Sequence, residues 1–204
     1  TKLVSGQQAV VTATAHPLVF IYSAPPCPRG ARMRVEFQSA AAGTQNTPYH
    51  DCDARYSMNF YLAGMRATTV YSARHTIEPP VSSIAPSPVT FTTGSVSMQV
   101  PAATPLSTPP PSYQPILLQS ILNAPPIATD LNGNLLWYGP AGLTLMTRVN
   151  AGGTFLAVFE DGSHGPEAQF FREFDLAGVT IAETNAAAVN GQLAAIGKKP
   201  ITSF

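Results

Sequence analysis

Short stretches of alternating apolar and polar residues run through most of the chain and predict a protein built of β-strands. Residues 32–38 alternate with a period of two, which is typical of a strand with one buried face. Other stretches are rich in β-branched and aromatic residues, which favour strands. These further predicted strands are residues 8–14, 18–22, 56–62 and 89–93, with 96–100 as a possible second closing strand. The fold class expected from this pattern is all-β.

The segment from Leu62 to Tyr71 resembles the corner that leads into a late strand of fibronectin type III domains. Leu62 precedes the corner loop, Thr69 follows it, and Tyr71 comes two residues later at the start of the strand. In that fold the Tyr hydroxyl hydrogen-bonds back across the corner and ties the two sheets together. The resemblance implies this role for Tyr71. We therefore expect residues 1–100 to form an immunoglobulin/fibronectin-III-like β-sandwich.

The second half of the chain contains one short phrase twice. Asp130 precedes Gly133, and Asp175 precedes Gly178, each time just before an apolar run. The Asp can accept from backbone N–H groups and the Gly tolerates positive φ, so each phrase predicts a tight hairpin. Between the phrases, residues 143–149 and 154–159 are predicted strands joined by a turn at 150–153.

The two aspartates stand about 45 residues apart, which is the period of a four-stranded β-propeller blade. We therefore expect residues 127–204 to hold the first blade or blades of a propeller. A propeller needs about four to eight blades, so we also expect that this part is truncated. Residues 185–193 predict a short helix or a loop.

Residues 101–126 are rich in proline, which makes this stretch stiff and extended. We interpret it as a linker between the sandwich and the propeller. The alternative is a ligand for a proline-recognising groove. The apolar run at 116–122 interrupts the prolines and is expected to pack.

Composition excludes some classes of function. The chain has 11 basic and 11 acidic residues and no net formal charge, which argues against nucleic-acid binding. No apolar run is long enough to span a bilayer. Few Lys residues and many Ala, Thr, Ser and Pro residues favour an exported protein, periplasmic or extracellular.

The two cysteines, Cys27 and Cys52, suggest one disulfide in an exported domain. Two separate buried thiols are the alternative. Two Cys do not complete a zinc shell, and His50 is the only imidazole nearby in sequence, so no metal site is predicted. No cofactor is predicted either.

Three stretches in the second half resemble bacterial arylsulfate sulfotransferases, and residues 60–71 resemble that family's sandwich domain. The three stretches are residues 130–138, 172–178 and 201–204. The resemblance implies a β-sandwich followed by a propeller, and sulfuryl transfer from an aryl sulfate to a phenol. A propeller histidine holds the sulfuryl group in that family, in a motif beyond the part that matches Phe204. We therefore assign no catalytic residue and expect this chain alone to be inactive.

His164, Arg148 and Arg172 are the candidate substrate-binding residues, because an imidazole and two guanidinium groups could face a channel and bind an anion. A solvated loop is the alternative for His164. His16, His50 and His75 are interpreted as structural or solvated. The expected partners are the remaining propeller part or a second copy of the chain. The alternative function is an exported binding or adhesion module without catalysis.

Overall fold

The computed structural model describes residues 4, 8–80, 86–98, 100, 116–120, 125–162, 165–202 and 204. The described residues are nearly all β, in several antiparallel sheets, with one short α-helix. The chain divides into two compact units, which we call unit 1 (Thr1–Gln99) and unit 2 (Val100–Phe204). The all-β prediction is confirmed.

Unit 1 contains eight described strands in two sheets. The strands are β1 (Val10–Ala13), β2 (Phe20–Ala24), β3 (Arg32–Ser39), β4 (Gly43–Asn46), β5 (His50–Asp51), β6 (Met58–Leu62), β7 (Val70–Glu78) and β8 (Val89–Thr92). One sheet has the order β1-β2-β6 and the other β4-β3-β7-β8, with β5 also paired to β3. All of these pairs are antiparallel.

The core of unit 1 follows from the alternation seen in the sequence. Every second residue of β2, β3, β6 and β7 is buried, and these side chains form one hydrophobic cluster. Both sheets contribute to it; the largest fully buried members are Tyr22, Met33, Val35, Phe60, Leu62, Met65 and Tyr71. Burying a side chain of this size contributes about 1.5–3 kcal/mol, so this cluster is the main stabilising element of unit 1.

The corner before β7 has the hydrogen bond that the sequence predicts. The backbone N–H of Arg66 donates to the hydroxyl of Tyr71 over 2.9 Å, and Tyr71 is fully buried. The Thr93 hydroxyl donates to the Arg66 carbonyl over 2.5 Å and accepts from the Thr69 N–H over 2.9 Å. The corner is therefore tied both to the core and to the end of β8.

Unit 1 also contains elements that the sequence pattern does not predict. Two short strands, β4 and β5, lie within residues 40–53. Their side chains are mostly exposed, so no apolar alternation marks them, and pairing with β3 makes them strands. His75 lies within β7. The possible second closing strand at 96–100 is corrected, since residues 96–98 form no strand.

Unit 2 contains two further antiparallel sheets and the helix. Its elements are β9 (Leu117–Gln119), β10 (Ile127–Thr129), β11 (Leu135–Tyr138), β12 (Leu143–Asn150), β13 (Thr154–Glu160), a 3-10 turn (Pro166–Ala168), β14 (Gln169–Asp175), β15 (Thr180–Asn185) and α1 (Ala186–Ala195). The strand orders are β11-β10-β9 and β12-β13-β14-β15. Most of the expected linker lies outside the described residues, but β9 falls within it and pairs with β10.

The two Asp-x-x-Gly phrases form matching turns, as predicted. In the first, Asp130 Oδ1 accepts from the backbone N–H groups of Asn132 and Asn134, each over 2.9 Å. In the second, Asp175 Oδ1 accepts from Ala177 and Val179, again over 2.9 Å. The glycine of each turn has a left-handed φ, 78° and 81°, which only glycine adopts freely.

The hairpins around these turns also match in register. In both, the register shifts just ahead of the residue that precedes the turn aspartate, between Ala128 and Thr129 in β10 and between Glu173 and Phe174 in β14. As a result Trp137 pairs with Ala128 and Ala182 pairs with Glu173 at equivalent places. The β10–β11 hairpin of the three-stranded sheet and the β14–β15 hairpin of the four-stranded sheet therefore have the same design.

The four-stranded sheet has two distinct faces. We call the face of Phe155, Ala157 and Arg172 the front face and the face of Leu156, Glu173 and Ala182 the back face, because directly paired residues share a face. Trp137 stacks on Phe155 with a centroid distance of 4.8 Å, and Phe155 stacks on Phe174 at 5.5 Å. The front face is thus covered by the preceding sheet.

Capping residues define both ends of helix α1. The side chain of Asn185 caps its N-terminus by accepting from the Ala188 N–H over 2.8 Å. At its end, Gly197 has a φ of 67°, and the N–H groups of Gly197 and Lys198 donate to Ala194 and Leu193. This pattern is the glycine-terminated Schellman motif. The sequence left helix and loop open here, and the helix is present.

Candidate functional site

Arg172 lies on the front face of the four-stranded sheet, in contact with aromatic rings and one carboxylate. Its guanidinium carbon is 4.4 Å from the ring centroid of Phe159 and 5.8 Å from that of Phe170. It forms an ion pair with Glu183, its direct partner on β15. The guanidinium is therefore held in place by the protein's own groups. A bound anion would have to share it with Glu183.

Arg148 lies on the other side of the same sheet. It pairs with Leu156, whereas Arg172 pairs with Ala157, and consecutive strand residues point to opposite faces. Arg148 is exposed on the edge strand β12. The structure therefore does not bring the two candidate arginines together. His164 lies outside the described residues, so its predicted role stays a prediction.

A second polar cluster, missed in the sequence, covers the outer face of the β3–β7 pair in unit 1. Arg32 donates to Glu78 over 2.7 Å, and Arg74 donates to Glu36 over 2.7 Å. Both pairs join residues directly opposite each other on β3 and β7. We call these four residues, with Arg34 and Tyr49, the polar ladder. Residues about 40 positions apart make it, so only the strand register could have revealed it.

Arg34 occupies the centre of the polar ladder. Its guanidinium carbon lies 5.0 Å from the Tyr49 ring centroid, and that of Arg32 lies 4.4 Å from the same ring. The Nε atom of Arg34 is buried and has no hydrogen-bond partner among the described residues. The hydrogen bond from Arg32 lowers the pKa of Glu78, and the same bond raises the pKa of Arg32. The two outer charges are thus matched within the protein.

A shallow depression adjoins this cluster. It is lined by Glu36, Gln38, Ser72, Arg74 and Pro88 and has a volume of about 100 Å³. Pockets that hold a drug-sized molecule usually enclose about 300–1,000 Å³. The depression is therefore too small for an aryl sulfate with its acceptor phenol, and its polar lining suits water or a contact with another surface.

Tyr22 and His75 form a buried polar pair in the core of unit 1. The Tyr22 hydroxyl lies 2.9 Å from His75 Nδ1, and the two residues are 0% and 7% exposed. Burial raises the pKa of Tyr22 to about 12 and lowers the pKa of His75. A catalytic base must reach its substrate. This pair is sealed from solvent, so its role is structural, as interpreted for His75 from the sequence.

The other described histidines also have structural or solvated settings. His16 Nδ1 accepts from the Leu18 N–H over 3.1 Å at a tight turn, and the residue is buried. His50 is exposed and stacks on Phe60 with a centroid distance of 4.8 Å. His50 pairs with Met33 on β3, between Arg32 and Arg34 in sequence.

Cys27 and Cys52 form a disulfide that closes a loop of 25 residues. Backbone hydrogen bonds flank it, from Cys27 to Asp53 and from Cys52 to Ala31. Within the described part of the chain, no group of three or more potential ligands could hold a metal ion. In the same part, no helix is long and apolar enough to cross a membrane.

The chain matches no known protein-family model, no curated protein and no solved structure. The assignment of function therefore depends on the geometry described above and on the sequence resemblance. The described residues form two compact units, and among them no cluster of catalytic groups lies in a cleft.

Proposed function

We propose that this chain forms the β-sandwich and first propeller sheets of an exported protein of the arylsulfate sulfotransferase type. In that role it is a scaffold, and the nucleophilic histidine is supplied by further propeller sheets. Residues 1–100 make the sandwich, 101–126 make the linker, and 127–204 begin the propeller.

The repeated hairpin carries this proposal. The Asp130 and Asp175 turns share the same backbone hydrogen bonds to the Asp carboxylate, the same left-handed glycine and the same irregularity in register. The first sheet also packs on the second through Trp137, whose indole N–H donates to the Leu176 carbonyl over 2.8 Å inside the second turn. Sheets that repeat with one design and stack face to face are the building principle of a propeller.

The sandwich and the export are supported by separate observations in unit 1. The β1-β2-β6 and β4-β3-β7-β8 sheets share one core, and Tyr71 ties the corner before β7. The Cys27–Cys52 disulfide is compatible with a periplasmic or extracellular location, because disulfides persist in oxidising compartments.

The scaffold role follows from the settings of the polar groups. Arg172 is engaged by Glu183, and Arg148 points away from it. The Tyr22–His75 pair is sealed in the core. Sulfuryl transfer needs cationic donors around a nucleophile in an open site. The described residues show no such arrangement, and inactivity of the chain alone stays a prediction for the assay below.

The test is an assay of sulfuryl transfer from para-nitrophenyl sulfate to phenol. The 204-residue chain is compared with the polypeptide that the source cells export, captured with an antibody against this chain. We expect nitrophenol release by the captured polypeptide and none by the chain alone. An exported polypeptide that contains further propeller sheets but transfers no sulfuryl group to any phenol would overturn the proposal.

The polar ladder favours one alternative function, an exported binding or adhesion module. Arginine and tyrosine are enriched at protein interfaces, and Arg32, Arg34 and Tyr49 lie together at the outer face of the β3–β7 pair. The same capture experiment distinguishes the two functions. The binding-module function is correct if the exported polypeptide consists of these residues alone, binds a partner, and loses that binding in the Arg34→Ala variant.

A further inference from the structure

The two hairpins of unit 2 are equivalent in structure but differ in what covers them. When the two hairpins are compared by register, Trp137 is equivalent to Ala182 and Ala128 is equivalent to Glu173. On the neighbouring strands β9 and β13, Leu118 is equivalent to Leu156. Trp137 is 3% exposed because the next sheet covers it, whereas Ala182 is exposed on the last strand of its sheet. The back face of the four-stranded sheet is therefore equivalent to the face of the first sheet that carries Trp137, but no further sheet covers it among the described residues.

Only part of this back face is covered within the chain. Val158 and Phe171 pair directly on it, and Phe204 packs on Phe171 with a centroid distance of 5.6 Å. The rest of the face is different: Ala182 and Arg148, nearer the Asp175 turn, are exposed, and Leu145, which pairs with Val158 on the edge strand β12, has 54% of its surface in solvent. Leu156 lies among them on β13 and is half-buried.

We propose that this uncovered part, formed by Leu145, Arg148, Leu156, Glu173 and Ala182, is the docking surface for one further antiparallel sheet with an apolar, aromatic face. The model for this contact is within the molecule itself, where Phe155 of one sheet stacks on Trp137 of the preceding one. This inference rests on the repeated-sheet part of the proposed function and is independent of sulfuryl transfer.

The residues on the surface also define what the docking sheet must present. Where the first hairpin has the large Trp137, the second has Ala182, so a bulky side chain of the partner has to fill that space. Glu173 already accepts from Thr154 Oγ1 over 2.8 Å and from Asn150 over 3.3 Å, so it requires no cation from the partner. Arg148 is an exposed charge on this face and calls for an acidic or carbonyl group opposite.

A second copy of this chain is the less suitable occupant. In the stacking seen within unit 2, the sheet that follows presents its front face, so the occupant of this docking surface must present a front face. The free sheet of a second copy would be the three-stranded one, and its front face carries Ile127 and Thr129, which are already 2% and 1% exposed. Both of these positions are already covered, and Leu117, paired with Thr129, is the exposed large apolar side chain on that face.

Cysteine labelling tests the proposal. Ala182→Cys places a thiol on the docking surface, and Thr180→Cys is the matched control, two residues away on the same strand and paired with Phe174 of the front face. Both native cysteines are in the disulfide, so the introduced thiol is the only one free to react. Each variant is labelled with a biotin maleimide in the isolated chain and in the polypeptide exported by its own cells.

We expect the two thiols to react at similar rates in the isolated chain. In the exported polypeptide, the thiol of Ala182→Cys should react at about one tenth of its rate in the isolated chain, or more slowly still, because a docked sheet must open before the buried thiol reacts. The rate for Thr180→Cys should be unchanged. Equal Ala182→Cys rates in both forms would overturn the proposal, whatever the transfer assay shows. Protection that appears in the isolated chain as its concentration rises would overturn it in favour of a second copy.

Discussion

The two units of this protein bury their apolar surface to different extents. Of the described large apolar side chains that remain exposed, three belong to unit 1 and nine to unit 2. In unit 1 the inner faces of both sheets meet in one cluster. In unit 2 the front face of the four-stranded sheet is covered, but Leu145, Val179 and Ile181 are each more than half exposed.

This difference indicates how each unit maintains its structure. Unit 1 buries most of its large apolar side chains in its own core and also contains the disulfide. It therefore has the features of a domain that folds alone. Unit 2 relies on one line of stacked rings, Trp137, Phe155 and Phe174, to join its two sheets. Exposed apolar patches of this kind usually mark an interaction surface.

The largest effect is expected from Trp137→Ala. The substitution removes the stack on Phe155 and the indole hydrogen bond to Leu176, and large-to-small changes at buried aromatic residues cost about 3–5 kcal/mol. Hydrogen exchange followed by mass spectrometry should show deprotection of β10 to β15 with unit 1 unchanged. Trp137→Phe is the control: it keeps a stacked ring, and the lost hydrogen bond costs about 1 kcal/mol. Equal deprotection of both units would contradict the expectation that the two units unfold separately.

Removing the disulfide should produce the converse result. The Cys27→Ala, Cys52→Ala double variant loses the constraint on a loop of 25 residues, which the loop-entropy argument values at about 3 kcal/mol. Urea unfolding followed by hydrogen exchange should show a lower midpoint for unit 1 only. The wild-type chain under reducing conditions serves as the control and should behave like the double variant. A shift in unit 2 of the same size would show that the units do not unfold separately.

The two Asp turns offer a comparison within unit 2. Asp130→Ala and Asp175→Ala each remove an ionised acceptor from two backbone N–H groups, and a hydrogen bond to a charged group contributes about 1.5–3 kcal/mol. Because these backbone hydrogen bonds are the same in both turns, thermal unfolding should show losses of similar size, with a somewhat larger loss for Asp130→Ala, which also removes the hydrogen bond from Asn134 Nδ2 to Asp130 Oδ2. Asp→Asn at either position keeps the Oδ1 acceptor and should lose much less. A loss at one turn alone would mean that the match in geometry is not a match in energy.

These turns were predictable from the sequence because every group that forms them lies within five consecutive residues. The β3 strand was predictable for a similar reason, since its alternation is local. The strands β4 and β5 were not, because their residues are mostly exposed and they exist only by pairing with β3. Local pattern therefore gave the all-β class, the turns and the main strands.

The candidate site was harder to predict because it depends on register. Arg172 meets Glu183 only because β14 and β15 pair with those two residues opposite each other. The separation of Arg148 from Arg172 follows from a register shift between Met146 and Arg148. Tyr22 meets His75 across 53 positions of sequence. No spacing within one strand carries that information.

The smallest and most gradual effect is expected from pH, and it should appear in unit 1 alone. Burial lowers the pKa of His75 below its ordinary 6.5, so the neutral form is favoured in the folded state, and stability is lost as pH falls below 6.5. Burial raises the pKa of Tyr22 from 10.0 to about 12, so stability is lost as pH rises from 10 towards 12. One titrating group changes the free energy of unfolding by at most about 1.4 kcal/mol per pH unit.

Urea midpoints measured across this pH range separate the two groups. His75→Gln should flatten the acid side and keep the alkaline decline, whereas Tyr22→Phe should do the reverse, and unit 2 is the internal reference. An acid decline that persists unchanged in His75→Gln would assign it to other groups. If the predicted pattern holds, the buried Tyr22–His75 pair restricts unit 1 to neutral pH, because both groups must stay uncharged to remain 2.9 Å apart in an apolar core.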